Sequence, residues 1–234
     1  MSWLSRLAGC QVRLSAAHLQ RRAALSEPLA VDDRPLNQQR WVVLDLETSG
    51  LDLRRDQLLS IGAVVIEQGA IDFAQQFECT LHRADHRVSA SVLIHGIAPS
   101  EIANGVEPAQ ALLAFMEFLR GSPVLAFHAG FERHMLGRAL KETLGLRLQH
   151  RFYDVAQWAP ALCPQANIAN GGLDDWTEYF GLQERQRHHA SADALVTAEL
   201  ALILFSKARQ QQLDSLPALE QRLARLRRQH AHGL

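Results

Sequence analysis

The sequence predicts an α/β protein with a mixed sheet. Between residues 41 and 81, three apolar strand-like runs joined by short polar turns predict an antiparallel meander. Beyond residue 108, helical periodicity alternates with a short buried apolar run, which is typical of strands lying between helices. The length of 234 residues suits one domain with extensions, and 47% hydrophobic and 21% charged residues are ordinary for a soluble globular protein.

The predicted elements follow in chain order. Strands are predicted from Trp41 onward and over 58–66, 71–81 and 123–127, with a hairpin turn at 67–70. Helices are predicted over 108–119, 131–144, 154–162, 173–180 and 191–208. No internal repeat or low-complexity tract interrupts this series.

Both ends of the chain carry basic, amphipathic segments. Residues 1–26 hold four arginines and no acid, a composition that suits a helical arm or a mitochondrial transit peptide. Residues 28–35 are predicted to form a linker into the domain. At the other end, leucines recur at helical spacing beside arginines, which predicts a helix packed on its own domain or one that contacts nucleic acid or a partner. We therefore divide the chain into an N-terminal helical arm and linker (1–40), a central domain (41–208) and a C-terminal basic amphipathic helix (209–234).

The amino-acid composition limits which binding partners and which cellular compartment fit this protein. The formal net charge of −1 gives no global reason to bind nucleic acid, so such binding would need local patches or bound metal. Charges interrupt every long apolar stretch, so we expect no membrane span. Cys10, Cys79 and Cys163 are too few and too scattered for a disulfide framework or a zinc site, and they fit a reducing cytoplasm.

The first chemical motif closes the Trp41 strand. Alternation along a strand places Asp45 and Glu47 on one face, directly before the turn signal Thr48-Ser49-Gly50. A solvated edge strand would also show such a pair. Two like charges held this close nevertheless repel, unless a cation binds between them. Because Mg²⁺ and Mn²⁺ prefer oxygen ligands, the motif predicts a divalent metal site.

The second motif, residues 188–194, precedes an apolar helical run. Asp193 falls in the first turn of that helix, where an acid also favours the helix dipole, and His188 lies on the loop before it. Taken alone, the motif fits a surface histidine pair beside a helix start. Together with Asp45 and Glu47, it supplies a third acid and an imidazole suited to general base catalysis.

These motifs resemble those of the DEDDh (DnaQ-like) 3′-5′ exonucleases, a family that includes the epsilon proofreading subunit of bacterial DNA polymerase III. The segment 45–52 resembles the family's first motif, and His188 through Ala194 matches its third, His-x-Ala-x-x-Asp-Ala. Residues 94–97 are similar to the segment that contacts the 3′-terminal nucleotide. The resemblance extends over about 41–205 with its motifs in the family's order.

The resemblance implies a ribonuclease H-like mixed sheet flanked by helices and a two-metal-ion hydrolysis. Two ions, Mg²⁺ or Mn²⁺, would lie roughly 4 Å apart on Asp45, Glu47, Glu132 and Asp193, and His188 would act as the general base. Thr48 and His95 would contact the terminal nucleotide, and Leu51 would wedge against the last base or pack inside the fold. The implied substrate is the 3′ end of single-stranded DNA or RNA, and proofreading would need a polymerase partner in trans.

One position departs from the family pattern. The second motif normally ends in Phe-Asp, whereas this chain has Phe131-Glu132, which keeps the carboxylate and adds a methylene. His128 stands where many relatives have Asn, with packing and substrate contact both open. The departure at Glu132 supports an alternative, a nucleic-acid-binding or polymerase-associated module with weakened catalysis. The motifs do not distinguish DNA from RNA or from short oligonucleotides, nor do they give the oligomeric state.

Overall fold

Strand β1 (Trp41–Thr48) lies in the middle of a five-stranded sheet. The computed structural model describes residues 14–84, 96–183 and 189–232. Within these ranges β1 pairs antiparallel with β2 (Leu58–Glu67), which pairs antiparallel with β3 (Ala70–Thr80). On its other side β1 pairs parallel with β4 (Val124–Ala126), which pairs parallel with β5 (Phe152–Asp154). The predicted mixed sheet, a meander followed by parallel strands, is confirmed.

Helices cover both faces of this sheet. In chain order the described helices are α1 (Ala16–Ala23), α2 (Pro99–Ala103), α3 (Pro108–Leu119), α4 (Ala129–Leu144), α5 (Val155–Leu162), α6 (Leu173–Phe180), α7 (Ala190–Gln210) and α8 (Leu216–His232). Each strand of the parallel half leads into a helix, because α4 follows β4 and α5 follows β5 within a few residues.

Alternation along β1 assigns its side chains to two separate cores. Trp41 and Val43 face the layer of α5, α7 and α8, whereas Val42, Leu44 and Leu46 face the layer of α3 and α4. Trp41 is fully buried, its indole Nε1 donates to the Leu36 carbonyl at 2.7 Å, and its ring lies 5.7 Å from that of Phe205 in α7. The central strand is therefore fixed from both sides.

Helix α7 crosses the sheet at Gly62. A Cβ placed on Gly62 would collide with the Ala190 carbonyl group and the Ser191 nitrogen, far inside van der Waals contact. Because Gly62 pairs directly with Asp45, the first turn of α7 starts beside the carboxyl half of β1. A glycine inside a strand commonly marks such a close backbone approach.

Several boundaries differ from the sequence-based predictions. Strand β5 and helix α2 were not predicted, and residue 154, predicted to start a helix, instead ends β5 and caps α5. The C-terminal helix, predicted over 209–234, begins later than expected, because a turn with Gln212 at φ 60° follows α7 and α8 starts only at Leu216. Three-residue strands and five-residue helices are too short to show a periodicity.

Both terminal segments pack on the central domain. The Arg21 guanidinium of α1 makes two 2.7 Å hydrogen bonds to the Glu117 carboxylate, and Arg22 donates to the Leu144 carbonyl. At the other end, Leu216, Leu219 and Leu223 of α8 are buried in the core that contains Trp41. The boundaries at 40 and 208 stay predictions. In the part of the chain that the structure describes, no helix is long and apolar enough to cross a membrane.

We expect Gly62→Ala to destabilise the protein, because the new methyl meets helix backbone that cannot rotate away. Overpacking of this kind typically costs ~1–3 kcal/mol, which chemical denaturation would measure. Gly137→Ala in α4 is the matched control: its Cβ would make only ordinary contacts at 3.7 Å with Leu148, and alanine favours a helix by up to ~1 kcal/mol. Equal effects of the two substitutions would refute the close contact at Gly62.

Candidate active site

The carboxyl end of β1 carries two acids on one face of the sheet. Asp45 and Glu47 continue the row of Trp41 and Val43, the row that faces α7, and both are half-buried. The β1–β2 register shifts between Glu47 and Thr48, an irregularity of the kind that often borders active sites. The predicted common face of Asp45 and Glu47 follows directly from the strand.

Helix α7 brings a third acid to this face. Asp193 lies in its first turn and is buried. Asp45, Glu47 and Asp193 each offer one carboxylate oxygen, and these three oxygens lie within 4.8 Å of one another. We call these three residues the acidic cluster. Three carboxylates this close repel one another strongly in a partly desolvated site, so the arrangement suits a bound divalent cation.

Glu132 lies next to the acidic cluster, in the first turn of α4. It is 6% exposed, and its Oε2 atom is buried with no hydrogen-bond partner among the residues that the structure describes. Burial raises the pKa of Glu132 well above its usual value, and the charges of Asp45 and Glu47 raise it further. Glu132 is not among the residues whose carboxylate oxygens all lie within 4.8 Å of one another.

The loop after β1 presents the residues predicted to contact substrate. Thr48 is buried, and its hydroxyl donates to the Gly50 carbonyl at 2.7 Å, so it shapes the turn. The side chain of Leu51 is 83% exposed, which rules out the packing alternative for this residue. The loop itself is ordered by Asp56, whose carboxylate accepts hydrogen bonds from the Ser49 hydroxyl and the Asp52 amide.

Two predicted site residues, His188 and His95, lie outside the described residues, so their roles stay predictions. The residue that follows His188, His189, is the N-cap of α7. Its Nε2 lies 3.3 Å from Glu78 of β3 and its Nδ1 3.1 Å from the Ser191 hydroxyl. The chain entering α7 is thus tied to the sheet directly after position 188.

Sequence reasoning missed three residues that support the site. Gly62 admits the start of α7, and a lone glycine in a strand pattern was the available signal. Asp154 accepts hydrogen bonds from the amides of His128 and Ala156, which joins the starts of α4 and α5. Arg138 of α4 donates to the carbonyls of Leu53 and Asp56 in the β1–β2 loop, and no local sequence pattern predicts such a contact.

His128, whose role was left open between packing and substrate contact, is exposed. It adopts a left-handed conformation at φ 62°, and its ring lies against that of Phe127.

The profile of a family described as Exonuclease (RNase_T) matches residues 42–201, more than half of the chain. The protein therefore belongs to this exonuclease family, and the DnaQ-like resemblance drawn from its motifs is confirmed. Membership implies nuclease activity. Enzymes of the family need divalent metal ions, and the acidic cluster supplies ligands of the right chemistry.

Curated relatives are bacterial proteins of DNA metabolism. The PolC-type DNA polymerase III of Thermotoga maritima is 32% identical over 172 residues, 73% of this chain and 12% of that protein. The DNA polymerase III epsilon subunit of Treponema pallidum is 27% identical over 161 residues, 68% of this chain and 74% of that protein. The chain thus spans about 12% of the length of the PolC-type relatives.

Among solved structures, a zinc-bound complex of E. coli exonuclease I with single-stranded DNA matches with a TM-score of 0.62. Sequence identity is 20%, and the match covers 75% of this chain and 42% of that one. At this identity the match establishes the fold, and it confirms the predicted ribonuclease H-like architecture.

Replacing Glu132 with Gln should stabilise the metal-free protein at neutral pH. A carboxyl whose pKa is raised on folding costs stability once the pH rises above its unfolded value of ~4.3, and the cost grows until the pH reaches the folded pKa. The glutamine variant lacks this cost. In chelator, the excess of its melting temperature over that of wild type should grow as the pH rises from 4 towards neutral, by ~2–4 °C per kcal/mol.

Glu142→Gln on the same helix serves as the control, because Glu142 is 69% exposed. It should leave the pH dependence of melting unchanged. The same pH dependence of melting in wild type and Glu132→Gln would contradict the raised pKa of the buried Glu132 carboxyl.

Proposed function

We propose that this protein is a metal-dependent 3′-5′ exonuclease that removes nucleoside monophosphates from the 3′ end of single-stranded nucleic acid, with DNA favoured. The observation that carries the proposal is the acidic cluster, three carboxylates within 4.8 Å beside the buried Glu132, in a chain of the exonuclease family. A fold without catalysis would gain nothing from concentrating these charges, since each adds repulsion.

The side chains present fit divalent ions. All the candidate ligands are carboxylates, the donors that Mg²⁺ and Mn²⁺ prefer. A cation would also stabilise the buried Oε2 of Glu132, which has no hydrogen-bond partner within the described part of the chain. Asp45, Glu47 and Asp193 would hold the metal, with Glu132 completing the set. Two bound ions would lower the pKa of the attacking water and stabilise the leaving 3′ oxygen.

The remaining roles belong to side chains around the cluster. His188 would accept the proton of the attacking water, since it precedes the N-cap of the helix that carries Asp193. Leu51, exposed at the tip of an ordered loop, would press against the last base, and Thr48 would hold the backbone of that loop for the terminal nucleotide. His95 would contact the same nucleotide.

The preference for DNA and the idea of a partner come from the relatives. Two of them are named as DNA polymerase III proteins, and a solved structure of the same fold holds single-stranded DNA. By analogy, this chain would act in proofreading or DNA repair, with a polymerase as a partner in trans.

A second candidate is a nucleic-acid-binding or polymerase-associated module with weakened catalysis. It is favoured by one observation, namely that Glu132 stands outside the set of carboxylate oxygens within 4.8 Å. The two functions differ in the rate of cleavage, since the exonuclease shortens its substrate efficiently and the module does so weakly or not at all.

Asp45→Ala should reduce the nuclease rate by at least ~100-fold and leave the fold intact. A metal site supplies several kcal/mol of transition-state stabilisation, and each 1.36 kcal/mol corresponds to a factor of about ten. The measurement is digestion of 5′-labelled single-stranded DNA and RNA with Mg²⁺, with Mn²⁺ and with chelator. We expect a ladder that shortens from the 3′ end only with metal and only with wild type. No shortening by the folded wild-type protein with either metal would favour the binding module.

The length of the acidic side chain at position 132 can be tested separately. We expect Glu132→Asp to keep or raise the rate, because the shorter acid is the one that the family normally has there. Glu132→Ala should lose at least ~10-fold, since it removes a candidate ligand. The measurement is the steady-state cleavage rate of each variant and of wild type on the same oligonucleotide. An alanine variant as active as wild type would show that Glu132 is no ligand.

A further inference from the structure

The solvent face of α4 forms one wall of a basic groove. Arg133, His134, Gly137, Arg138 and Lys141 recur at the three- and four-residue spacing of one helix face, while Met135, Leu136 and Leu140 are buried on the opposite face. The loop at 145–148, which includes Arg147, forms the other wall, and the groove encloses about 770 Å³. We call this feature the α4 groove.

The α4 groove concentrates positive charge in a protein whose net charge is −1. Its described lining residues include Arg133, Arg138, Lys141 and Arg147 and contain no carboxylate. Glu142 of the same helix is 69% exposed, and its carboxylate lies 3.9 Å from Arg138 Nε, at the outer limit of an ion pair. A row of cations with so little compensation suits a polyanion.

The α4 groove begins beside the active site. Gly130, at its start, lies two residues before Glu132, and Arg133 follows Glu132 directly. From Arg133 to Lys141 the helix advances ~12 Å, away from the acidic cluster. The groove also touches the loop that carries Leu51, because Arg138 donates to the Leu53 and Asp56 carbonyls of that loop.

We propose that the α4 groove binds the phosphodiester backbone of the substrate strand on the 5′ side of the nucleotide in the active site. This inference rests on the proposed function, since it names where that substrate continues. The acids at the active site repel the phosphates of the strand, and the cations of α4 offset this repulsion over the following nucleotides. The described lining has no Phe, Tyr or Trp, so the α4 groove reads charge and not base identity.

The test is the triple variant Arg133→Gln, Lys141→Gln, Arg147→Gln, at three exposed positions. Arg138 is kept because it holds the β1–β2 loop. Binding of fluorescent dT20 and dA20 is followed by anisotropy with Mg²⁺ in an Asp45→Ala background. We expect roughly 10-fold or more weaker binding of both oligonucleotides. The log–log salt slope should shrink in magnitude by about 2, because each phosphate that a cation neutralises on a single strand contributes about 0.7 to it.

Catalysis provides a separate readout. In the wild-type background, KM for dT20 should rise by a similar factor. Cleavage of the p-nitrophenyl ester of thymidine 5′-monophosphate should be unchanged, because this substrate has no upstream phosphates. If wild type does not cleave the ester or dT20, the exonuclease function fails, while the anisotropy experiment still judges the α4 groove.

The matched control is the triple variant Arg151→Gln, Arg209→Gln, Arg225→Gln. It removes the same amount of positive charge from exposed positions outside the α4 groove. It should bind dT20 nearly as well as the parent. The proposal is overturned if the groove variant loses no more affinity than this control, which would leave the groove to another acidic ligand. It is equally overturned if cleavage of the small ester falls as much as cleavage of dT20.

Discussion

The first turn of α7 rests on the backbone of Gly62, and the position of Asp193 depends on this contact. Gly62 is the antiparallel partner of Asp45, so the same residue fixes the separation of the first acid from the last. The Trp41 indole, held by the Leu36 carbonyl and packed against Phe205 of α7, supports this arrangement from below the site. Sheet-to-helix packing therefore positions the members of the acidic cluster.

That packing carries an electrostatic cost. Asp45, Glu47 and Asp193 each place a carboxylate oxygen within 4.8 Å of the other two. Glu132 is buried beside them, and one of its oxygens has no hydrogen-bond partner in the ranges that the structure describes. Buried polar groups without partners and like charges at short distance both reduce stability. A bound divalent cation would reverse the sign of this contribution, which explains how the same residues that destabilise the metal-free protein can serve catalysis. Farther from the site, the cations of the α4 groove would offset the repulsion between these carboxylates and the phosphates of the substrate strand.

Much of the fold and of the candidate site could be predicted from the sequence, but the reason differs from residue to residue. The shared face of Asp45 and Glu47 followed from strand alternation alone. Asp193 and Glu132 are 148 and 87 residues from Asp45, so no local periodicity could bring them to it, and only the resemblance to the DnaQ-like exonucleases placed them in one site. Asp154 and β5 were missed because three residues carry no periodic signal, and Arg138 because its partners are backbone carbonyls of a distant loop. His188 and His95 lie outside the described residues, so the general base and one nucleotide contact rest on the motif.

The claim on which the account depends is that these carboxylates form a metal site. Titration calorimetry of Mn²⁺ into the metal-free protein, with wild type and Asp193→Asn compared, tests it without any substrate. The account predicts saturable binding to wild type and at least ~10-fold weaker binding to the variant, whose amide offers a poorer ligand and removes one charge. No saturable binding to wild type, or the same affinity in the variant, would contradict it.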